Sequence, residues 1–410
     1  MLTWINRFST CCFLDNHQYQ FSHHTYECIA AAGAVSSISL NAGSALSQLH
    51  LFQQKHPGWL FGHLSYDLKN EIETLSSGHP DYTGFPDLFF FVPETILLLK
   101  EDELCISAKD KRTSEEIFNL ITGIANSEQP VPLQPVAFQP RLSKQAYIER
   151  IEQLRRHILR GDCYEVNFCQ EFFAEKVQVD PVRVYRMLSG ISPAPFAAFY
   201  RIADRYLLCA SPERYLKKQG DTVISQPIKG TGKRNIVNAA YDAANREDLY
   251  NSAKDRSENV MVVDLVRNDL SKICREGTVE VDELFGIYSF PQVHQMISTI
   301  SGTLQPGLSF TDIIKRTFPM GSMTGAPKKK VMELIEQYET NRRGIFSGAV
   351  GYIMPNGDFD FNVVIRSILY NSASRYLSYL VGSGITFYSK AENEYEECLL
   401  KAEAIKKVFE

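Results

Sequence analysis

Two pairs of carboxylates, Asp255 with Glu258 in KDRSENVMVVDLVRNDL and Glu394 with Glu397 in NEYEECLLKA, are spaced i, i+3 in helically patterned segments. That spacing puts both acids of a pair on one helix face. In the first segment the face continues through Val262, Leu265 and Val266, so the acids point toward the side to be buried, where a carboxylate needs a cation. Four oxygen ligands on two helices suit Mg²⁺, a hard ion that keeps waters and bridges protein to an anionic substrate. The same spacing also describes surface ion pairs with Lys254, Arg256 and Lys401, the commoner outcome, and spacing alone leaves both open.

A second cluster is SQPIKGTGKRN (225–235), where Lys229 sits between Ile228 and Gly230. Glycines let a backbone approach a ligand closely. The segment lacks the GxxxxGK[ST] spacing of a phosphate-cradling loop. A turn lysine is ordinarily solvated; buried beside a carboxylate it becomes a candidate nucleophile or base. Two more glycine-rich stretches are FPMGSMTGAPKKK (318–330) and VGSGITF (381–387). In the first, Thr324 to Pro327 precede a predicted helix whose free N–H groups could take a carboxylate; in the second, Gly382 and Gly384 flank Ser383 after a predicted strand. Both also read as ordinary turn chemistry. Arg366, at the end of a predicted strand FNVVIR, could clamp a carboxylate bidentately or serve as a solvated strand end. His294 in PQVHQMIST is a lone histidine, a pattern more often structural than catalytic.

Long helices between runs of strands must position these residues, and without βαβ alternation they predict an α+β fold. Expected strands are LFFFV, TILLLK, ELCISA, 196–202, 206–211, 278–281, 298–304, 348–354, 360–369 and 376–381. Expected helices are 114–125 capped by Ser114, 143–160 capped by Ser143, 242–274 and 392–409. Prolines 130, 132, 135 and 140 predict an extended crossing over 126–141. They divide a β-rich portion, 1–140, from a catalytic portion, 141–410, within one intertwined unit.

The 410 residues, 44% hydrophobic and rich in Phe and Tyr, supply a large core. A net charge of −5 offers no basic field for nucleic acid. Nine cysteines, at 11, 12, 28, 105, 163, 169, 209, 274 and 398, form no CxxC or metal spacing and suit a reducing cytoplasm. The most apolar stretch, 87–100, is broken by Pro93 and Glu94 short of a membrane span, and the start, MLTWINRFSTCCFLDN, lacks a long apolar h-region, so export is not expected. Membrane insertion is not expected.

Read in order, GDCYEVNFCQ, SPERY, QPIKGT, KDRSENVMVVDLVRNDL, HQMISTISGTL, FPMGSMTGAPKKKVMELI, RGIFSGAVGYI, DFNVVIRSI, VGSGI and EYEECLLKA resemble the chorismate-utilising enzymes over 141–410. The resemblance implies a large mixed sandwich of two sheets with flanking helices around a Mg²⁺–chorismate site. It implies that Glu258 and Glu397 bind Mg²⁺ directly, and that Asp255, shorter than the usual Glu, and Glu394 act through metal-bound water. Tyr352, Arg366 and the Gly382–Ser383–Gly384 backbone would receive the enolpyruvyl carboxylate, with Thr324, Lys401 and His294 completing the pocket. Lys229 separates the branches. PIKGT resembles those transferases that aminate chorismate at C4 to 4-amino-4-deoxychorismate, toward p-aminobenzoate and folate; PIAGT marks those that aminate C2. In that resemblance Lys229 is a covalent nucleophile and Glu213 the acid that releases the C4 hydroxyl. The water-using branch carries a lysine in the segment matching 164–167, where this chain has Glu165 in place of the usual Gln of ammonia users. Alternatives are C2 amination and an inactive chorismate-binding relative. No GxCxG-type turn is present, so ammonia would come from a separate glutamine amidotransferase subunit or from free ammonium. ISPAPFAAFY (191–200) is similar to one wall of the family's tryptophan pocket; the leucine-leucine-glutamate signature of the other wall is missing.

Overall fold

The computed structural model describes residues 1–19, 23–101, 103–109, 112–124, 134–291 and 293–410. It is α+β, as the sequence predicts, and every strand ladder among these residues is antiparallel. The expected sheets are continuous with each other. One ribbon of ladders runs from Glu280–Ser289 through Val293–Thr303, Thr222–Gln226, Arg214–Gln219, Phe359–Asn362 and Ala349–Ile353 to Leu60–Leu64. It continues through Leu88–Lys100, Cys28–Leu40, Thr10–Asp15, Phe196–Ile202, Arg205–Ser211, Ser367–Asn371 and Tyr376–Ile385 to Glu165–Ala174. Two large apolar clusters among the described residues hold it. One is built on Phe61, Phe90, Phe91, Phe361 and Val262; the other packs Tyr147 and Ile151 of the helix Lys144–Leu159 and Cys398 of the helix Ala391–Lys401 with Phe168 and Tyr379 of the sheet.

Several expected boundaries move, each for a local reason. LFFFV and TILLLK are one strand, Leu88–Lys100: Pro93 lies opposite Ala34 at a register shift, where its missing N–H interrupts little of the ladder. The helix Ser114–Ile124 is capped by Thr113, whose Oγ1 accepts from Glu116 N–H at 3.2 Å while Glu116 Oε2 accepts from Thr113 N–H at 2.7 Å. Residue 125 and the proline-rich stretch as far as 133 lie outside the described residues; Gln139–Pro140 then pairs with Glu165–Ala174. Ser143 caps Lys144–Leu159 as expected.

The single helix expected over 242–274 is two, Ala239–Asn251 and Ala253–Ser271, because Ser252 leaves helical geometry to cap the second. The closing helix is likewise two, Ala391–Lys401 and Glu403–Val408. The strand expected over 360–369 breaks into Phe359–Asn362 and Ser367–Asn371, and Arg366 between them has φ 51°. Tyr376–Ile385 runs four residues further than expected, so Gly382, Ser383 and Gly384 are inside a strand rather than after one. No helix among the described residues is long and apolar enough to cross a membrane.

Candidate active site

Lys229 reaches the interior because its strand carries one extra residue. Ile228 pairs with Ile297 and Thr231 with Gln295, so three steps on one strand oppose two on the other. Such a bulge re-aims side chains, and it needs Gly230, whose φ is +97° and whose added Cβ would stand 3.0 Å from Asp255 Cβ. The Lys229 Nζ donates to Glu165 Oε1 at 2.5 Å; the two side chains are 11% and 2% exposed. Glu165 opens the strand Glu165–Ala174 and pairs with Ala326. Its other oxygen, Oε2, is buried without a partner.

Gly384, on the neighbouring strand, faces this pair: an added Cβ would lie 2.5 Å from both Lys229 Nζ and Glu165 Oε1. The glycine therefore leaves space for the ends of these two side chains, which an alanine would push aside. Burial acts to lower the Lys229 ammonium, but Glu165, Glu258 and Glu397 together outweigh it and hold it above the ordinary lysine value.

Glu213 is 4% exposed, and burial pushes its carboxyl up to about 7 although Lys229 and Arg366 both pull it down. A carboxyl with that value can carry a proton near neutrality and give it away. Arg366, in its left-handed bend, is lowered to about 10 by burial. Gln295, with its amide oxygen turned toward the guanidinium, accepts from Arg366 Nη1 at 2.9 Å.

The acids on the two helices do converge, around a lysine. Lys254 Nζ stands 3.8 Å from Glu258 Oε1, 3.7 Å from Glu394 Oε1 and 3.6 Å from Glu397 Oε2. Burial pushes Glu258 up to about 7, whereas Lys401, at 2.9 Å, holds Glu397 down to about 2. Lys401 also donates to Gly382 O at 3.0 Å, tying this helix to the glycine strand. Among the described residues no three His, Cys, Asp or Glu side chains stand close enough together to hold a metal. The donor chemistry nevertheless fits a hard dication, because Glu258 Oε1 and Glu394 Oε2 are buried carboxylate oxygens without hydrogen-bond partners.

Three expected site residues are engaged in other contacts. Asp255 Oδ2 accepts from Ser252 Oγ at 2.5 Å and serves the helix cap. His294 spends both ring nitrogens, Nδ1 with Ser289 Oγ at 2.9 Å and Nε2 with Asp242 Oδ1 at 3.2 Å. Tyr352 packs its ring on Trp59 and Phe61 and lines a separate cleft with His24, Phe196, Arg214 and Asp360. The alternation of its strand turns it to that side. Thr324 is fully buried, donates to Met320 O at 3.2 Å, and its own carbonyl accepts from Asn167 N–H at 2.8 Å; it shapes the loop beside Glu165. Ser383 Oγ is buried and unpartnered.

Sequence reasoning missed Gln295, although it adjoins His294, and the pair Glu339–Arg343. Arg343 Nη2 binds Glu339 Oε1 at 2.6 Å and Asn167 O at 2.7 Å, and Nη1 binds Met323 O at 2.7 Å. The pair fixes the strand of Glu165 against the loop of Thr324. Arginine at the head of RGIFSGAVGYI was the available signal.

The model of the chorismate binding enzyme family matches residues 10–407. The chain belongs to the chorismate-binding enzymes. The match includes the N-terminal part, which the motifs alone did not cover. This chorismate-binding enzyme is 34% identical to an anthranilate synthase component I-like protein of Synechocystis, over 85% of this chain and 72% of the relative. It is 31% identical to aminodeoxychorismate synthase component 1 of Bacillus subtilis, over 86% and 77%. Its fold is similar to the crystal structure of anthranilate synthase component I from Streptococcus pneumoniae, with a TM-score of 0.80 at 27% identity over 95% of this chain and 96% of that one.

Proposed function

We propose that this chorismate-binding enzyme aminates chorismate at C4 with ammonia, giving 4-amino-4-deoxychorismate, as an aminodeoxychorismate synthase component 1. The observation that carries the reading is the bulge that turns Lys229 inward onto Glu165, across from a glycine that leaves the lysine room. A lysine serving only solubility would point to water.

Arg366, backed by Gln295, and the backbone of Gly382–Gly384 receive the enolpyruvyl carboxylate. Lys229 passes its proton to Glu165, and its freed amine attacks ring C2. The ring double bond shifts, the C4–O bond breaks, and Glu213 gives its proton to the departing hydroxyl, which leaves as water. Ammonia then attacks C4, the double bond shifts back and the C2–N bond breaks. The Glu213 carboxylate takes the surplus proton from the new C4 amine, and Lys229 recovers its own from Glu165. The sum is chorismate plus ammonia to 4-amino-4-deoxychorismate plus water.

Glu258, Glu394 and Glu397 are the residues that would hold Mg²⁺, which when bound supplies a dication to pair with the ring carboxylate. Ammonia comes from a separate glutamine amidotransferase subunit, a reading supported by the designation component 1 of the Bacillus relative. All nine cysteines are free, which fits a reducing compartment such as the cytoplasm.

The test is to incubate protein, chorismate, Mg²⁺ and ammonium and to identify the product by mass and retention. A product that an aminodeoxychorismate lyase converts to p-aminobenzoate is expected; anthranilate as the main product would overturn the assignment.

A further inference from the structure

The cation among Glu258, Glu394 and Glu397 belongs to the protein itself. Lys254 springs from the first turn of the helix Ala253–Ser271 and reaches acids on that helix and on Ala391–Lys401. All three contacts lie between 3.6 and 3.8 Å, so the ammonium is shared among the acids without a short hydrogen bond to any one of them. Its side chain is 50% exposed, against 2% for Glu394. Lysine is a compact, strongly hydrated charge on a flexible stem, and it can swing into water at little cost. Lys401 cannot do so as readily, because it is tied at 2.9 Å to Glu397 and at 3.0 Å to Gly382 O.

An ammonium and a divalent cation cannot share these oxygens, since like charges a few ångströms apart repel strongly. Without either one, Lys401 would offset Glu397 alone, and Glu258 and Glu394 on the two helices would lack a cation of their own. We propose that Lys254 is a tethered placeholder cation: it offsets part of the cluster's negative charge and joins the two helices in the metal-free chain, and it is expelled to solvent when a divalent cation binds. Lys254 thereby weakens metal binding and keeps the site assembled between occupancies. The inference rests on the reading of Glu258, Glu394 and Glu397 as the metal-holding acids.

Two measurements test it on the full chain. Amine acylation of the wild type, read by peptide mass spectrometry, should rise several-fold at Lys254 when saturating Mg²⁺ is added, with Lys144 on the surface as an unchanged reference. By calorimetry, Lys254→Met should bind Mg²⁺ several-fold more tightly than wild type, and in EDTA it should melt at a lower temperature. Arg256→Gln, on the same helix but with its guanidinium over the rings of Phe285 and Tyr250, should show neither change, which separates expulsion from the general effect of removing a positive charge. Mg²⁺ binding with unchanged or reduced labelling of Lys254, or Lys254→Met binding no more tightly than Arg256→Gln, would overturn the placeholder and leave the metal site standing. Absence of Mg²⁺ binding in wild type and Lys254→Met alike would overturn both.

Discussion

At the scale of single residues the proposed reaction asks two groups to hold unusual protons. Lys229 must lose one although three carboxylates favour its ammonium form, so its proton needs an acceptor in contact, and Glu165 is at 2.5 Å. Lys229→Ala should therefore lose most C4 amination and, by recreating PIAGT, divert some ammonia to C2. Wild type quenched with chorismate but no ammonia should show chorismate less one water on the peptide containing Lys229; unchanged C4 product from the variant and no adduct would exclude the covalent route. Glu213 must start protonated, and burial raises it from 4.5 to about 7. Turnover should consequently fall about tenfold per pH unit above that value; a kcat flat to pH 9 would contradict its role as the acid. The sign of the stability effect follows from the same shift. A raised carboxyl stabilises the fold fully below its unfolded value and loses that contribution as pH rises through about 7. Glu213→Gln should flatten the fall in melting temperature between about pH 4.5 and 8.

At the scale of elements, chemistry depends on strands with the right things missing. Gly384 and Gly382 share one strand, two residues apart on the same side, yet they have different neighbours. An alanine at 384 would meet the flexible ends of Lys229 and Glu165 at 2.5 Å, whereas one at 382 would meet the carbonyl oxygen of Phe168 at 2.2 Å. Gly384→Ala should fold and melt near wild type and lose on the order of 100-fold in kcat/KM, because an ångström of displacement at the reacting groups has that cost. Gly382→Ala should instead lose stability, since backbone cannot step aside. Equal melting temperatures for the two variants would refute the distinction.

At the scale of the whole molecule, buried charge holds distant segments in one place. Arg343 links its own loop to Glu339, to Asn167 on the strand of Glu165 and to Met323 before Thr324, and both partners of the ion pair are under 5% exposed. Removing one member of such a pair leaves a buried charge uncompensated, at roughly 3–5 kcal/mol. Arg343→Ala should lose stability on that scale in urea melts, and activity with it; a loss below about 1 kcal/mol would mean that the pair behaves as a surface one. The ribbon adds a second long-range tie, since Thr10–Asp15 pairs with Phe196–Ile202 and Leu60–Leu64 with Ala349–Ile353. We propose that 1–140 and 141–410 fold only together, so the second portion expressed alone should give no cooperative melt.

The sequence by itself determined the features that rest on near neighbours. The i, i+3 acids, the Ser143 cap and the PIKGT segment are read from a few adjacent residues, and so was the family, because its motifs follow one another in order. Only the tertiary structure decided where side chains point once strands pair. The bulge opposite Gln295 turns Lys229 inward, Ser252 splits one helix and takes Asp255 for its cap, and strand alternation sends Tyr352 to a separate cleft. Lys254 illustrates the difference most directly. From spacing it is a partner for neighbouring acids on its own helix; the second helix, about 140 residues further along the chain, adds Glu394 and Glu397 around the same ammonium. Register, bulges and helix–helix approach are set by the whole core, and no local window of sequence contains them.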